Sequence, residues 1–375
     1  MKVCFKIFLV GTFLVLLGCS PQVVQPIVYE KEKPDNIILM IGDGMGVAHL
    51  TAYQLQTGSD LFKDTDNVGL VHTYCADNLV TDSGASATAI ATGYKALYNS
   101  VGRDQDGIPR PSIIELANEQ DMLTGIVTTS SILDATPAAF YAHQDNRYFI
   151  DSISKDLMES EVDILIGGGK QFFDGTMEGS PYTLMDFRKR GRAVSHIWSE
   201  PIYQWDVSGN GKKIYFSGLE SPMLHGIGFD HLKNASNKAL EYFRGKNKNF
   251  FLMVEGAQID WASHAGKKDE LFLRMEGFEK AIRKMLDFAA KDRNTLVIIT
   301  ADHATGGLSI VDGSKHKDLK IDFSTNGHTA GMVPVFAYGP GAELFRGVMD
   351  NTDIFKKMAY LLDLVPKKTT DVSAN

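Results

Sequence analysis

The run Thr81-Asp82-Ser83-Gly84-Ala85-Ser86-Ala87-Thr88-Ala89 is nearly free of bulky side chains, a composition that lets backbone approach a small anion closely. The small residues from Ala85 to Thr92 predict a short helix. Ser83 then sits at or just before its N-terminus, where unpaired NH groups and the helix dipole favour negative charge. A serine in that place is either a helix cap, the commoner use of the residue, or a nucleophile.

Acidic and histidine residues recur in four other segments. Asp43 lies within Gly42-Asp43-Gly44-Met45-Gly46 and is a turn former or a ligand. In the segment from Glu255 to His264, Asp260 and His264 are four apart, so a helical turn projects both from one face. They either converge on a metal or form an exposed pair. Asp302 and His303 follow the apolar run that ends at Thr300; neighbours on a regular strand point apart, so a turn has to bring both inward. His328, in Asn326-Gly327-His328-Thr329-Ala330, taken alone is a structural histidine as readily as a ligand. Together with the serine, the four segments favour a metal-assisted site. Mixed histidine and carboxylate ligands suit zinc, and carboxylate with hydroxyl suits magnesium. Two cations about 4 Å apart can clamp the attacking and leaving oxygens of a phosphoryl group.

The elements that position these residues are legible in outline. Asn36 to Ile41 is a nearly continuous apolar run closed by a glycine turn, the pattern of a buried strand. Similar runs occur at Thr124 to Thr129, Asp163 to Ile166, Phe250 to Val254, Thr295 to Thr300 and Val333 to Tyr338. Helical stretches are predicted at Ser112 to Gln120, Phe149 to Ser160, Asp230 to Arg244, Glu270 to Ala290 and Thr352 to Leu362. Alternating strands and helices predict an α/β fold, a large mostly parallel central sheet flanked by helices on both faces. Such sheets bind ligands beyond the carboxyl ends of their strands. The segment from Gly167 to Gly228, rich in Gly, aromatic and basic residues, breaks the rhythm and reads as an excursion rather than a second domain. Its Arg188-Lys189-Arg190 cluster reads as solvated surface.

A length of 375 residues and a net charge of −8 fit one large domain and argue against a nucleic-acid surface, since phosphate-backbone binding needs an excess of Lys and Arg. The three cysteines, Cys4, Cys19 and Cys75, supply no disulfide framework. Lys2 and Lys6, the apolar run from Ile7 to Leu17, and Gly18-Cys19-Ser20 read as an export signal, being too short to span a bilayer. Leu16-Leu17-Gly18-Cys19 resembles a bacterial lipobox. The expected organisation is an export signal over 1–19, a tether over 20–34, a catalytic domain over 35–366 that includes 167–228, and a tail over 367–375. The expected location is the periplasm or the outer membrane of a bacterium, with the membrane touched only through a lipid on Cys19.

Taken in order, Gly42 to Gly46, Thr81 to Ala89, Asp134-Ala135-Thr136-Pro137, Glu255 to His264, Thr300-Ala301-Asp302-His303 and Gly327-His328-Thr329 make the chain resemble the alkaline phosphatases, from about residue 35 to about residue 340. The resemblance implies hydrolysis of small phosphate monoesters at alkaline pH, with two zinc ions and one magnesium ion. It implies that Ser83 is the nucleophile that takes the phosphoryl group. Asp260, His264 and His328 become ligands of the first zinc, and Asp43, Asp302 and His303 of the second. Asp43 also bridges to the magnesium, which Thr136 and Glu255 complete and on which Asp134 holds water. Arg147, in His143-Gln144-Asp145-Asn146-Arg147, matches the arginine that grips two phosphate oxygens, a task for a planar fork. Trp261 stands where relatives often carry Lys or His, and an indole offers one NH donor and no charge. The short 167–228 excursion implies a reduced crown over the site. Monomer and homodimer both stay open. The competing readings are a diesterase of the same superfamily, commonly with Thr in place of Ser83 and without the third-ion residues, and a lipoprotein that binds phosphate or metal without catalysis.

Overall fold

The computed structural model describes residues 33–63, 65, 67–175, 181–223, 228 and 230–364. The expected leader with Cys4 and Cys19, most of the tether and the C-terminal tail lie outside the described residues. Among the described residues, no helix is long and apolar enough to cross a membrane.

β1 (Asn36–Ile41) is buried at every position, as a strand covered on both faces must be. Each of Ile37, Ile38, Leu39, Met40 and Ile41 is fully shielded from water, which stabilises the fold by about 1.5–3 kcal/mol per aliphatic side chain. The later strands are β2 (Val68–His72), β3 (Leu123–Ser131), β4 (Ile164–Gly168), β5 (Ala193–His196), β6 (Lys213–Phe216), β7 (Phe250–Glu255) and β8 (Thr295–Thr300). The short strands β9 (Ala304–Thr305), β10 (Leu308–Ile310), β11 (Ile321–Phe323) and β12 (His328–Thr329) precede β13 (Val333–Tyr338) and β14 (Gly347–Asp350). Among the described residues, ten strands form one sheet in the order β14-β2-β13-β8-β1-β7-β3-β4-β6-β5. β13 pairs antiparallel with both neighbours, and the other pairings are parallel. Helices flank the sheet. His231–Arg244 and Lys268–Asp292 pack on each other and against β3 and β8, while Ser83–Thr92 packs on Asn351–Leu361.

Every strand and helix expected from the apolar pattern is present, with ends shifted by a residue or two. The sheet is wider than that pattern showed. β2 and β14 carry exposed positions, and β5 and β6 are only four residues long, so none gives a continuous apolar run. β5 and β6 correct the reading of 167–228 as an excursion: both strands extend the sheet in parallel beyond β4. The same segment forms a helix at Leu184–Lys189. The helix Val47–Thr57 was also hidden, because it buries His49 with Ala52 and Tyr53 while apolar Val47 is exposed, so its apolar residues mark no clean stripe.

Candidate active site and metal centre

β8, β1, β7 and β3 are adjacent in the sheet, and their carboxyl ends deliver most of the candidate residues. Asp43 follows β1, Asp302 and His303 follow β8, Glu255 ends β7, and Asp134 and Thr136 follow β3. His328 reaches the same edge from the opposite direction. It precedes β13, which runs antiparallel to β8, so the start of β13 lies where the parallel strands end. The turn after β1 has to be glycine-rich: Gly44 has φ +72°, and a Cβ there would sit 2.7 Å from Thr305 Oγ1 and 2.9 Å from Asp260 Oδ1.

The helix Ser83–Thr92 is capped by Asp82, whose carboxylate accepts from the N–H groups of Gly84 (2.9 Å) and Ala85 (3.1 Å). The serine is therefore relieved of capping. Ser83 is buried at the first helical position, and its Oγ lies 3.2 Å from His303 Nε2. Asp82 went unnoticed in the sequence because it stands beside a serine that caps helices equally well. It also accepts from Asn99 N–H (2.9 Å) and from Arg147 Nη1 (3.0 Å).

Two groups of ligand-type side chains gather here, Asp260 with His264 and His328, and Asp43 with Asp302 and His303; the ligand atoms within each group lie within 4.8 Å of one another. In the first group His264 Nε2 is 3.2 Å from Asp260 Oδ2 and 3.1 Å from His328 Nε2. His264 Nδ1 faces Asn326 O at 2.5 Å and His328 Nδ1 faces Thr81 O at 2.8 Å. A carbonyl only accepts, so both rings carry a proton on Nδ1 and turn both Nε2 atoms toward one point. A cation satisfies that arrangement, and orientation of ligating histidines by backbone carbonyls is how such sites are built. In the second group Asp43 Oδ1 and Asp302 Oδ2 are buried and accept no hydrogen bond, although His303 Nε2 lies 3.5 Å and 3.2 Å away. Buried carboxylate oxygens without a donor are costly unless a cation serves them. Both groups thus fit a metal.

The electrostatics agree. Burial first, then the carboxylates of Asp302, Asp260 and Glu255, push Asp43 well above the usual range. Burial raises Asp302 to about 6 and Glu255 to about 8. Burial lowers His303 and His328 to about 4 each, leaving them neutral as ligands must be. Burial also pushes Asp260 up, but without a cation His264, whose own pKa the same carboxylate raises, donates to it through Nε2 and holds Asp260 at about 2.

A third cluster surrounds Glu255. Its Oε2 accepts from Thr128 Oγ1 and, at 3.4 Å, from Ser130 Oγ, and the nearby Thr136 hydroxyl offsets part of the rise in its pKa. Thr128 and Ser130 were invisible as site residues, since they read only as the polar end of β3. Asp134 caps the helix Ala135–Ala138 through the Ala135 N–H (2.8 Å) and accepts from Arg147 Nη2 at 3.0 Å. Arg147 is thus gripped by Asp82 and Asp134. Although burial disfavours its charge, these carboxylates raise its pKa. Each Nη carries a second N–H, so this pairing does not exhaust the guanidinium. Trp261, one residue after Asp260 on the helix Gln258–His264, is 40% exposed at the rim. Cys75 is a buried free thiol. A separate cavity of about 590 Å³, lined by Glu115, Asp121, Asp156, Asp163 and Lys248 among others, contains none of these groups.

The family model for alkaline phosphatase matches residues 34–221, 230–321 and 314–364. Alkaline phosphatase 3 of Bacillus subtilis is 32% identical, with 86% of this chain and 88% of that protein covered. Streptomycin-6-phosphate phosphatase of Streptomyces griseus is 30% identical over 88% of this chain and 90% of its own. The solved alkaline phosphatase of the Antarctic bacterium TAB5 superposes with a TM-score of 0.83 at 34% identity, covering 89% of this chain and 99% of that one. With the strand-end ligand groups and the helix-borne serine in place, the chain belongs to the alkaline phosphatase family.

Proposed function

We propose that this protein hydrolyses phosphate monoesters by passing the phosphoryl group to Ser83 and then to water. In this reading two zinc ions are held by Asp260, His264 and His328 and by Asp43, Asp302 and His303, and a magnesium ion by Asp43, Thr136 and Glu255. The observation that carries it is the 3.2 Å approach of Ser83 Oγ to His303 Nε2, which sets a helix-N-terminal hydroxyl against the second ligand group. Zinc in these groups supplies a lowered pKa for a bound hydroxyl or water and positive charge for the leaving oxygen. The rest falls to the chain. Ser83 provides the attacking oxygen, and its place at the start of the helix favours the anion it attacks. Arg147 holds phosphoryl oxygens through its remaining N–H groups, and Asp82 and Asp134 fix the plane of its fork. A solved TAB5 alkaline phosphatase variant carries Mg in its M3 site, which supports a magnesium ion in the third group here.

The test is turnover of a nitrophenyl phosphate monoester and of the matching diester by protein loaded with zinc and magnesium. Clear preference for the monoester is expected. Preference for the diester would make the protein a diesterase, and turnover of neither by metal-loaded protein would leave it a binding module.

Arg147→Ala is expected to raise KM for the monoester and weaken inhibition by inorganic phosphate about 10- to 100-fold, the worth of a charge-assisted hydrogen bond of about 1.5–3 kcal/mol. Arg147→Lys restores only part of it, because an ammonium cannot contact both carboxylates and phosphate as a fork does. Inhibition constants measured side by side decide this. Magnesium affinity is expected to depend on pH with a definite sign. Glu255 titrates at about 8 without a cation, so below that pH magnesium has to displace its proton. Affinity for magnesium is then expected to rise with pH across the range in which Glu255 loses its proton. Calorimetric titration of zinc-loaded protein in buffers of different ionisation heat reads both the slope and the released proton.

A further inference from the structure

We propose that Thr305 is a positioning residue that links the two metal-ligating groups, through one hydroxyl that serves a ligand in each. The inference rests on the two-zinc reading above. Thr305 is fully buried. It is fixed by the register that sets it opposite His328 and by its N–H donating to Gly44 O at 3.1 Å, and its Oγ1 occupies the space that a Cβ on residue 44 would need.

Its Oγ1 lies 2.5 Å from Asp260 Oδ1 and 3.2 Å from His303 Nδ1. Hydrogen-bond bookkeeping gives the direction. A carboxylate accepts only, so the hydroxyl proton points to Asp260. With that proton committed, Oγ1 can only accept from the imidazole, so Nδ1 of His303 carries its proton. Nε2 is left as a lone pair among Asp43 Oδ1 (3.5 Å), Asp302 Oδ2 (3.2 Å) and Ser83 Oγ (3.2 Å). The same hydroxyl therefore orients a carboxylate of the first group and sets the tautomer of an imidazole in the second. Removing it leaves Asp260 Oδ1 short of a donor and lets the His303 proton move to Nε2, where it would block a cation.

The experiment uses the full chain stripped of metal and titrated with zinc against a chromophoric chelator, with elemental analysis for stoichiometry. Wild type is expected to take up zinc at both groups. Thr305→Val, which keeps the volume and loses the hydroxyl, is expected to bind zinc about 10- to 100-fold more weakly at both groups, the usual effect of losing a group that orients a ligand. Thr305→Ser is expected to bind close to wild type. Thr305→Ala, also without the hydroxyl, carries the same expectation if the valine variant does not fold. Wild-type zinc affinity in the hydroxyl-free variants overturns the proposal, as does equal weakening in Thr305→Ser, which would make the role one of packing. Weakening confined to one group overturns the link. Failure of wild type to take up zinc would remove the two-zinc reading itself, a separate outcome.

Discussion

Ser83→Ala is expected to lower monoester turnover on the order of 10⁴-fold, the scale of removing a nucleophile from an otherwise intact site. That is about 5.5 kcal/mol of transition-state stabilisation. The substitution is local. Asp82, not Ser83, caps the helix, so the alanine variant keeps both capping hydrogen bonds and the Arg147 pairing with Asp82. Ser83 is in neither ligand-type group, so zinc content should be unchanged. Metal analysis beside the turnover assay separates loss of the nucleophile from loss of the site. Acid quenching with radiolabelled monoester should trap label on wild type and none on the variant. Near-wild-type turnover by a zinc-replete Ser83→Ala protein would sink the proposed mechanism.

Asp302→Asn is the second large effect. Asp302 Oδ1 accepts from the N–H groups of Gly44 (3.1 Å) and His303 (2.9 Å), binding the two ligand turns together. Oδ2 accepts nothing and lies 3.2 Å from His303 Nε2. An asparagine whose carbonyl takes the place of Oδ1 keeps both turn hydrogen bonds and puts an NH2 donor where the cation-facing oxygen was. The expected result is loss of one zinc per chain and a fall in turnover of about 10³-fold, from losing charge stabilisation at the attacking oxygen. Folding should survive. In the metal-free protein the unfolding midpoint in denaturant should not fall, because burial already disfavours charge on Asp302. Full zinc content with full turnover would remove Asp302 from the metal centre.

Much of this site was legible because its parts are local. The apolar runs of β1, β7 and β8 announce buried strands, and the candidate ligand residues sit at or just past their ends. The spacing of Asp260 and His264 is likewise a property of one helical turn. The resemblance to a family supplied roles that no single segment could. What it and the pattern together missed were supporting residues. Asp82, Thr128, Ser130 and Thr305 are common polar types in turns, caps and strand ends, and nothing in their own segments distinguishes them from residues that simply face water. The strands β5 and β6 were missed for a related reason. They are too short for a period to register, and they gain their place by long-range pairing, β6 with β4 and β5 with β6.

The sequence alone determined the residue types that can do the chemistry and the elements that carry them, since periodicity and capping act within a few residues of chain. Tertiary structure decided which of those residues meet. It made Asp82 the cap and freed Ser83, it turned Arg147 between Asp82 and Asp134, and it set one Thr305 hydroxyl between Asp260 and His303. The physical reason is that hydrogen-bond direction and burial depend on partners brought together from distant parts of the chain, and those partners are fixed only once the sheet order places β8, β1, β7 and β3 side by side.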